Sequence, residues 1–297
     1  IVVGLVVGGW FLHRQRTLPD PLLDLSLFAN RAFSMALGTY MFSILFVFGT
    51  FYFTAQYLQL VLGMSPLSAG LWSLPSALAF VVGSNLVSRI VLWVRPGVIV
   101  TVGLALAAVG FVVLTRVGVA SLPLLIGGTL IMSLGLAPVI TLATDVIVGS
   151  APPERAGAAS GVSETSAEFG GALGIAILGS LGVAVYRDQV IRTLPADLPP
   201  DAVAAARETL GGAVLAAEQL PAPIAAALLR SARVAFVQGL HITAVVGAIA
   251  LAGMAALAAI LMQDIESGTG FQEKEDMNAG GPGISDPGAS EILDPAA

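Results

Sequence analysis

Residues 152–182 read PPERAGAASGVSETSAEFGGALGIAILGSLG. Ala, Gly and aliphatic residues dominate this stretch, and it is long enough to cross a bilayer as a helix. Two carboxylates, Glu164 and Glu168, interrupt it at a spacing of four. Side chains at i and i+4 share a helix face. With a helix start near Ala156, a rise of about 1.5 Å per residue puts Glu164 about 12 Å and Glu168 about 18 Å along the axis. The hydrocarbon core is about 30 Å thick, so Glu168 is expected near the midplane. Each such acid costs on the order of 3 kcal/mol to insert, and acids at that depth face a cavity and serve a function by default.

Gly157, Ser160 and Gly171 fall on the same face and leave room for a solute or for a close neighbouring helix. Two like charges side by side in a low dielectric oppose joint ionisation. That is the expected character of a site that trades a proton for a cation. The competing reading is that both glutamates bond to neighbouring helices and serve packing alone.

Working outward, 56% of the chain is hydrophobic and 11% charged. A soluble domain is about 25% charged, so the chain reads as an integral membrane protein. There is no Cys, and the two His, His13 and His241, are far apart, so no metal-ligand motif exists and no cofactor is expected. Arg residues are scattered without a basic run, which argues against a nucleic-acid partner. HExxH, GxSxG and a deep Ser/His pair are absent, so no enzyme is expected.

The chain opens IVVGLVVGGWFLHRQR. Residues 1–12 are apolar but span only about 18 Å as a helix, too short to cross. Their positive charge follows the apolar run, unlike a signal peptide. They are read as the end of a severed transmembrane helix, so the chain is expected to be a fragment of a longer protein. A connector over 13–31 carries Arg14, Arg16 and Arg31 and is expected on the cytoplasmic side.

Six spans are expected within 32–262: about 32–56, 67–90, 97–115, 122–149, 156–185 and 234–262. The first is aromatic-rich, with Tyr40 and Phe46 considered for a cation–π role. The second holds Pro75 and Asn85, with Arg89 at its end. The fourth holds Pro138, a kink candidate, and Asp145 near its end, read either as an interfacial acid paired with Arg155 or Arg89 or as part of the cavity. His241 in the sixth span reads as an interfacial or packed histidine. Residues 186–233 are charged and proline-punctuated, and are expected outside the membrane on the extracytoplasmic face. Residues 263–297 are acidic and rich in Gly and Pro, and are expected as a disordered cytoplasmic tail.

Six spans after a severed one is the layout of one half of a major facilitator transporter. The segments PLLDLSLFANRAF at 21–33, SPLSAGLWSLP at 65–75 and the stretch at 152–180 resemble the fourteen-helix drug:proton antiporter family, most closely its quaternary-ammonium and methyl-viologen efflux members. The resemblance covers about residues 1–262. It makes the glutamate helix the thirteenth, with Glu164 and Glu168 matching two acids of the quaternary-ammonium subgroup. The chain departs from that pattern in two places. The second span holds Asn85 where that subgroup's best-known branch has an acid, and the loop from Arg89 to Gly97 lacks the family's Asp.

The resemblance implies an all-α, polytopic protein of the bacterial inner membrane that exports small lipophilic cations in exchange for protons. The missing N-terminal half of the same transporter and the lipid bilayer are its partners. Glu164 and Glu168 would bind the proton or the cation. Ser160, Gly171, Asp145, Arg89, Asn85, Pro75, Pro138 and Tyr40 are the cavity or gating positions. Two other functions stay open: a proton-coupled carrier of a neutral or anionic metabolite, and a non-transporting membrane scaffold. No Arg or Lys falls at mid-membrane depth to favour an anion, and a scaffold has little use for two deep acids.

Overall fold

The computed structural model describes residues 2–18 and 25–279, all helix, turn or loop. Residues 19–24 of the expected connector and 280–297 of the expected tail lie outside the described residues. The helices are α1 (Val2–Thr17), α2 (Arg31–Gln56), α3 (Pro66–Ile90), α4 (Pro96–Leu114), α5 (Leu122–Gly149), α6 (Ala156–Thr193), α7 (Pro200–Glu208), α8 (Leu210–Ala217) and α9 (Ala222–Ala279). Six of them, α2 to α6 and α9, are long and apolar enough to cross a membrane.

The ends follow local chemistry. Asn30 caps α2 by accepting from the Ala32 and Phe33 amides. Ser65 caps α3, whose first residue is Pro66, and α4 and α5 also carry Pro in their first two positions. Gly63, at φ 69°, makes the turn between α2 and α3, a conformation costly for any residue with a Cβ. The last turn of α2 widens into a π-helical turn over Tyr57–Val61.

Residue contacts give the directions. Gly170 meets Met41 and Gly174 meets Leu45, so α2 and α6 run parallel. Ser76 bonds Thr129 and Gly83 meets Ala137, so α3 and α5 run parallel. Gly103 approaches the Gly135 carbonyl and Gly110 the Gly128 carbonyl, so α4 and α5 are antiparallel. Helix α9 packs on α4 and α6, antiparallel to α6: Gly239 meets Gly182, and Ser231 bonds the Thr193 carbonyl at 2.7 Å. The helices therefore close a ring, α2–α6–α9–α4–α5, with α3 laid on α5.

Lipid offers no hydrophobic drive between apolar helices, so the seams are built from close backbone approach, with glycine where two helices meet. One end, the near end, holds the starts of α2, α4 and α6. The far end is tied by polar contacts. The Tyr57 hydroxyl donates to the Gly118 carbonyl and accepts the Ser121 amide, while His241 Nε2 lies 2.6 Å from the Val117 carbonyl. His241 is thus a packed histidine fastening α9 to the α4–α5 turn.

Some boundaries differ from those read in the sequence. Helix α1 runs to Thr17, beyond 12, and α6 runs to Thr193, beyond 185. Helix α9 begins at Ala222 instead of 234, and its backbone stays helical into residues 263–279, where a disordered tail was expected. Extending an existing helix adds one hydrogen bond per residue without a new nucleus, so helices overrun the apolar stretch that defines a span.

Candidate functional site

Helix α6 starts at Ala156, where the sequence put it, so the axial positions of the glutamates stand. One side of α6 is committed to packing. Ala159, Val162, Ser163, Gly170, Gly174, Leu178 and Gly182 are buried along it. Gly174 explains why: a side chain there would meet the Leu45 backbone, so α2 and α6 touch main chain to main chain.

The other side is open. Gly157, Ser160, Gly161, Glu164, Thr165 and Glu168 are all exposed. The Ser160 hydroxyl turns back to the Ala156 carbonyl at 3.0 Å, and that of Thr165 to the Gly161 carbonyl at 2.8 Å. Neither hydroxyl therefore donates its proton to a glutamate. Glu164 and Glu168 present acceptor oxygens outward from a membrane-length helix. That arrangement can hold a proton, a cation, or each in turn. Gly171, on the same stripe, is buried beneath the ring of Phe48.

The remaining sequence-derived positions fall into three groups. Pro75 and Pro138 lie within continuous helices, and the α3–α5 seam joins them: Pro138 and Ala137 meet Gly83, and Ser76 bonds Thr129 at 2.8 Å. Asn85, Arg89 and Asp145 are exposed towards the near ends of α3 and α5. Asn85 spends one donor on the Val81 carbonyl at 2.8 Å, and among the described residues Asp145 and Arg89 do not pair with each other. Tyr40 is buried in the core of the bundle. A small cavity lined by Thr50, Phe53, Phe111, Leu178 and Thr243 belongs to the packed interior. Leu178 is ten residues past Glu168, about 15 Å along the helix.

The position of Phe48 over Gly171 was not legible in the sequence. Its signal was available as a ring on α2 opposite a glycine of α6, but that requires the register between two helices more than a hundred residues apart.

Comparison with known proteins agrees with this architecture. The profile of the Major Facilitator Superfamily matches residues 1–175. The chain is 38% identical over 260 residues to the multidrug efflux pump LfrA of Mycolicibacterium smegmatis, covering 87% of this chain and 51% of that protein. It is 32% identical to the tetracenomycin C resistance and export protein of Streptomyces glaucescens, over 84% of this chain and 48% of the relative. It is 30% identical to the methyl viologen resistance protein SmvA of Salmonella typhimurium, over 80% and 48%. The chain thus spans about half the length of these relatives. With six membrane-length helices and a profile match over more than half its length, this multi-pass membrane chain belongs to the major facilitator superfamily.

Proposed function

We propose that this chain is the C-terminal half of a fourteen-helix drug:proton antiporter, and that the whole transporter exports lipophilic cations across a bacterial inner membrane. The observation that carries the reading is the pair Glu164 and Glu168, four residues apart on the open side of a membrane-length helix. Similarity to proteins named for multidrug efflux and methyl viologen resistance supports the direction of transport and a cationic substrate.

Glu168, the deeper of the two, holds the coupling proton, and Glu164 meets the arriving cation. The near end faces the cytoplasm, where Arg31, Arg89, Arg95 and Arg155 cluster at helix ends. Residues 186–233 then lie outside the cell. The α3–α5 pair, clasped at Gly83 and Ser76, moves as a unit, with Pro75 and Pro138 marking where its helices flex.

The test is substrate-induced proton release from the full-length transporter in detergent. Glu168→Gln keeps shape and hydrogen bonding but fixes the neutral form. It should abolish proton release while the protein still reaches the membrane. Glu164→Gln should weaken cation binding more than proton coupling. Proton release from Glu168→Gln equal to that of the parent would move the coupling site elsewhere, with Asp145 the next candidate.

A further inference from the structure

Phe48 leaves the core on the side of α2 that meets α6, with 44% of its surface exposed. A Cβ built on Gly171 would stand 3.2 Å from Cγ and Cδ1 of this ring and 3.5 Å from Cδ2. That is closer than ordinary van der Waals contact, so the ring fills space that any other residue at 171 would claim. Gly171 is three residues past Glu168 and seven past Glu164. Residues at those spacings share a helical stripe, and neighbours at i and i+3 have Cβ positions about 5–6 Å apart. The half-open ring therefore lies about one turn from the deeper carboxylate, on the same open side.

We infer that Phe48 is a specificity-determining residue of the cation site: its exposed ring forms one wall, the carboxylates another, and the ligand is a flat or quaternary organic cation. The inference rests on the efflux reading above. A ring face attracts a cation within about 6 Å of its centroid, a metal ion or a quaternary ammonium alike. An aromatic wall beside an acid favours an organic cation because it also buries apolar surface, which a hydrated inorganic ion lacks.

The two aromatics considered for a cation–π role from the sequence are less open than Phe48. Phe46 is 4% exposed and packs edge-on against Phe111, and Tyr40 is 9% exposed within the core. Gly171 supplies the second part of the assignment. With no side chain at 171, the ring can lie against α6 itself, three residues past Glu168.

The experiment measures tetraphenylphosphonium and ethidium binding to purified full-length transporter at fixed pH. Phe48→Leu keeps apolar bulk and removes the ring, and should weaken both cations about 3- to 30-fold. Phe48→Trp should retain or tighten binding, because it keeps the ring face. Fluorinated phenylalanines at 48 keep the fold and size, and affinity should fall stepwise with fluorine number. Gly171→Ala should displace the ring and weaken binding without touching either acid. If the parent binds these cations and the fluorinated series leaves affinity flat, the role given to Phe48 is wrong while the efflux reading stands. If the parent binds neither cation, the efflux reading falls and this inference with it.

Discussion

At the scale of single residues, how closely α6 approaches α2 is decided by side-chain size. Gly174 sits where α2 and α6 approach through their backbones, and a methyl group there would collide with the Leu45 carbonyl. Neither partner atom can rotate away, so the helices themselves must separate. Gly174→Ala should destabilise the protein by about 1–3 kcal/mol, the usual cost of overpacking a closed seam. Gly157 is the matched control, since a Cβ there meets nothing within 4 Å. Gly157→Ala should leave stability unchanged or raise it, because alanine restricts the unfolded chain and favours helix. The check is the thermal unfolding midpoint of the two variants in detergent. Equal midpoints would mean that the α2–α6 seam is looser than the described approach. The glutamates follow the opposite logic. They need only a side of the helix that nothing covers, and Glu164 and Glu168 have one.

At the scale of elements, the six spans and their order were legible in the sequence because apolar length alone sets them. The near end of the glutamate helix was legible too, since Pro152, Pro153 and Glu154 suit a helix start. Its far end was not. The charged segment from 186 on was read as outside the span, but Asp188 and Arg192 pair at 2.9 Å one turn apart and sit comfortably on a continuing helix. Phe48 was hidden for a different reason: its meaning depends on which α6 residue lies opposite, and pairing between distant helices leaves no local pattern. Past the apolar spans, the α6 extension, α7, α8 and the start of α9 carry the bundle's hydrophobic core onward through Tyr186, Leu198, Ala206, Leu210 and Leu228. The Tyr186 hydroxyl donates to the Ala206 carbonyl at 2.6 Å, and Arg187 Nε donates to the Glu208 carbonyl at 3.5 Å. This unit carries charged residues that a bilayer would exclude, and the efflux reading puts it outside the cell. Asp201 and Glu218 are exposed on it, and the chain contains no Cys of its own. Single cysteines at those two positions, in a cysteine-free full-length background, should react with an impermeant maleimide in intact cells. Reaction only after lysis would invert the topology.

At the scale of the whole molecule, Glu164 and Glu168 are exposed on α6, with α2 reaching their stripe only where Phe48 covers Gly171, and α3 packs on α5 while exposing Leu67, Leu71, Leu78, Val81 and Val82. A midplane site in a transporter of this family lies between two halves, each of which supplies one wall. Alternating access needs both walls, because a solute must be closed off from one side before it is opened to the other. The chain spans about half the length of LfrA, the tetracenomycin C export protein and SmvA, so on the proposed reading it would supply one wall. Residues 1–297 alone, reconstituted in liposomes with an imposed pH gradient, should therefore give no gradient-dependent ethidium flux. The same residues within the full-length protein should give it, and Glu168→Gln should remove it. Co-reconstituting the fragment with a separately made N-terminal half should restore flux if the halves dock through these open faces. Robust flux from the fragment alone, at lipid dilutions where two copies seldom meet, would show that six helices enclose a pathway by themselves, and the two-walled site would have to be abandoned.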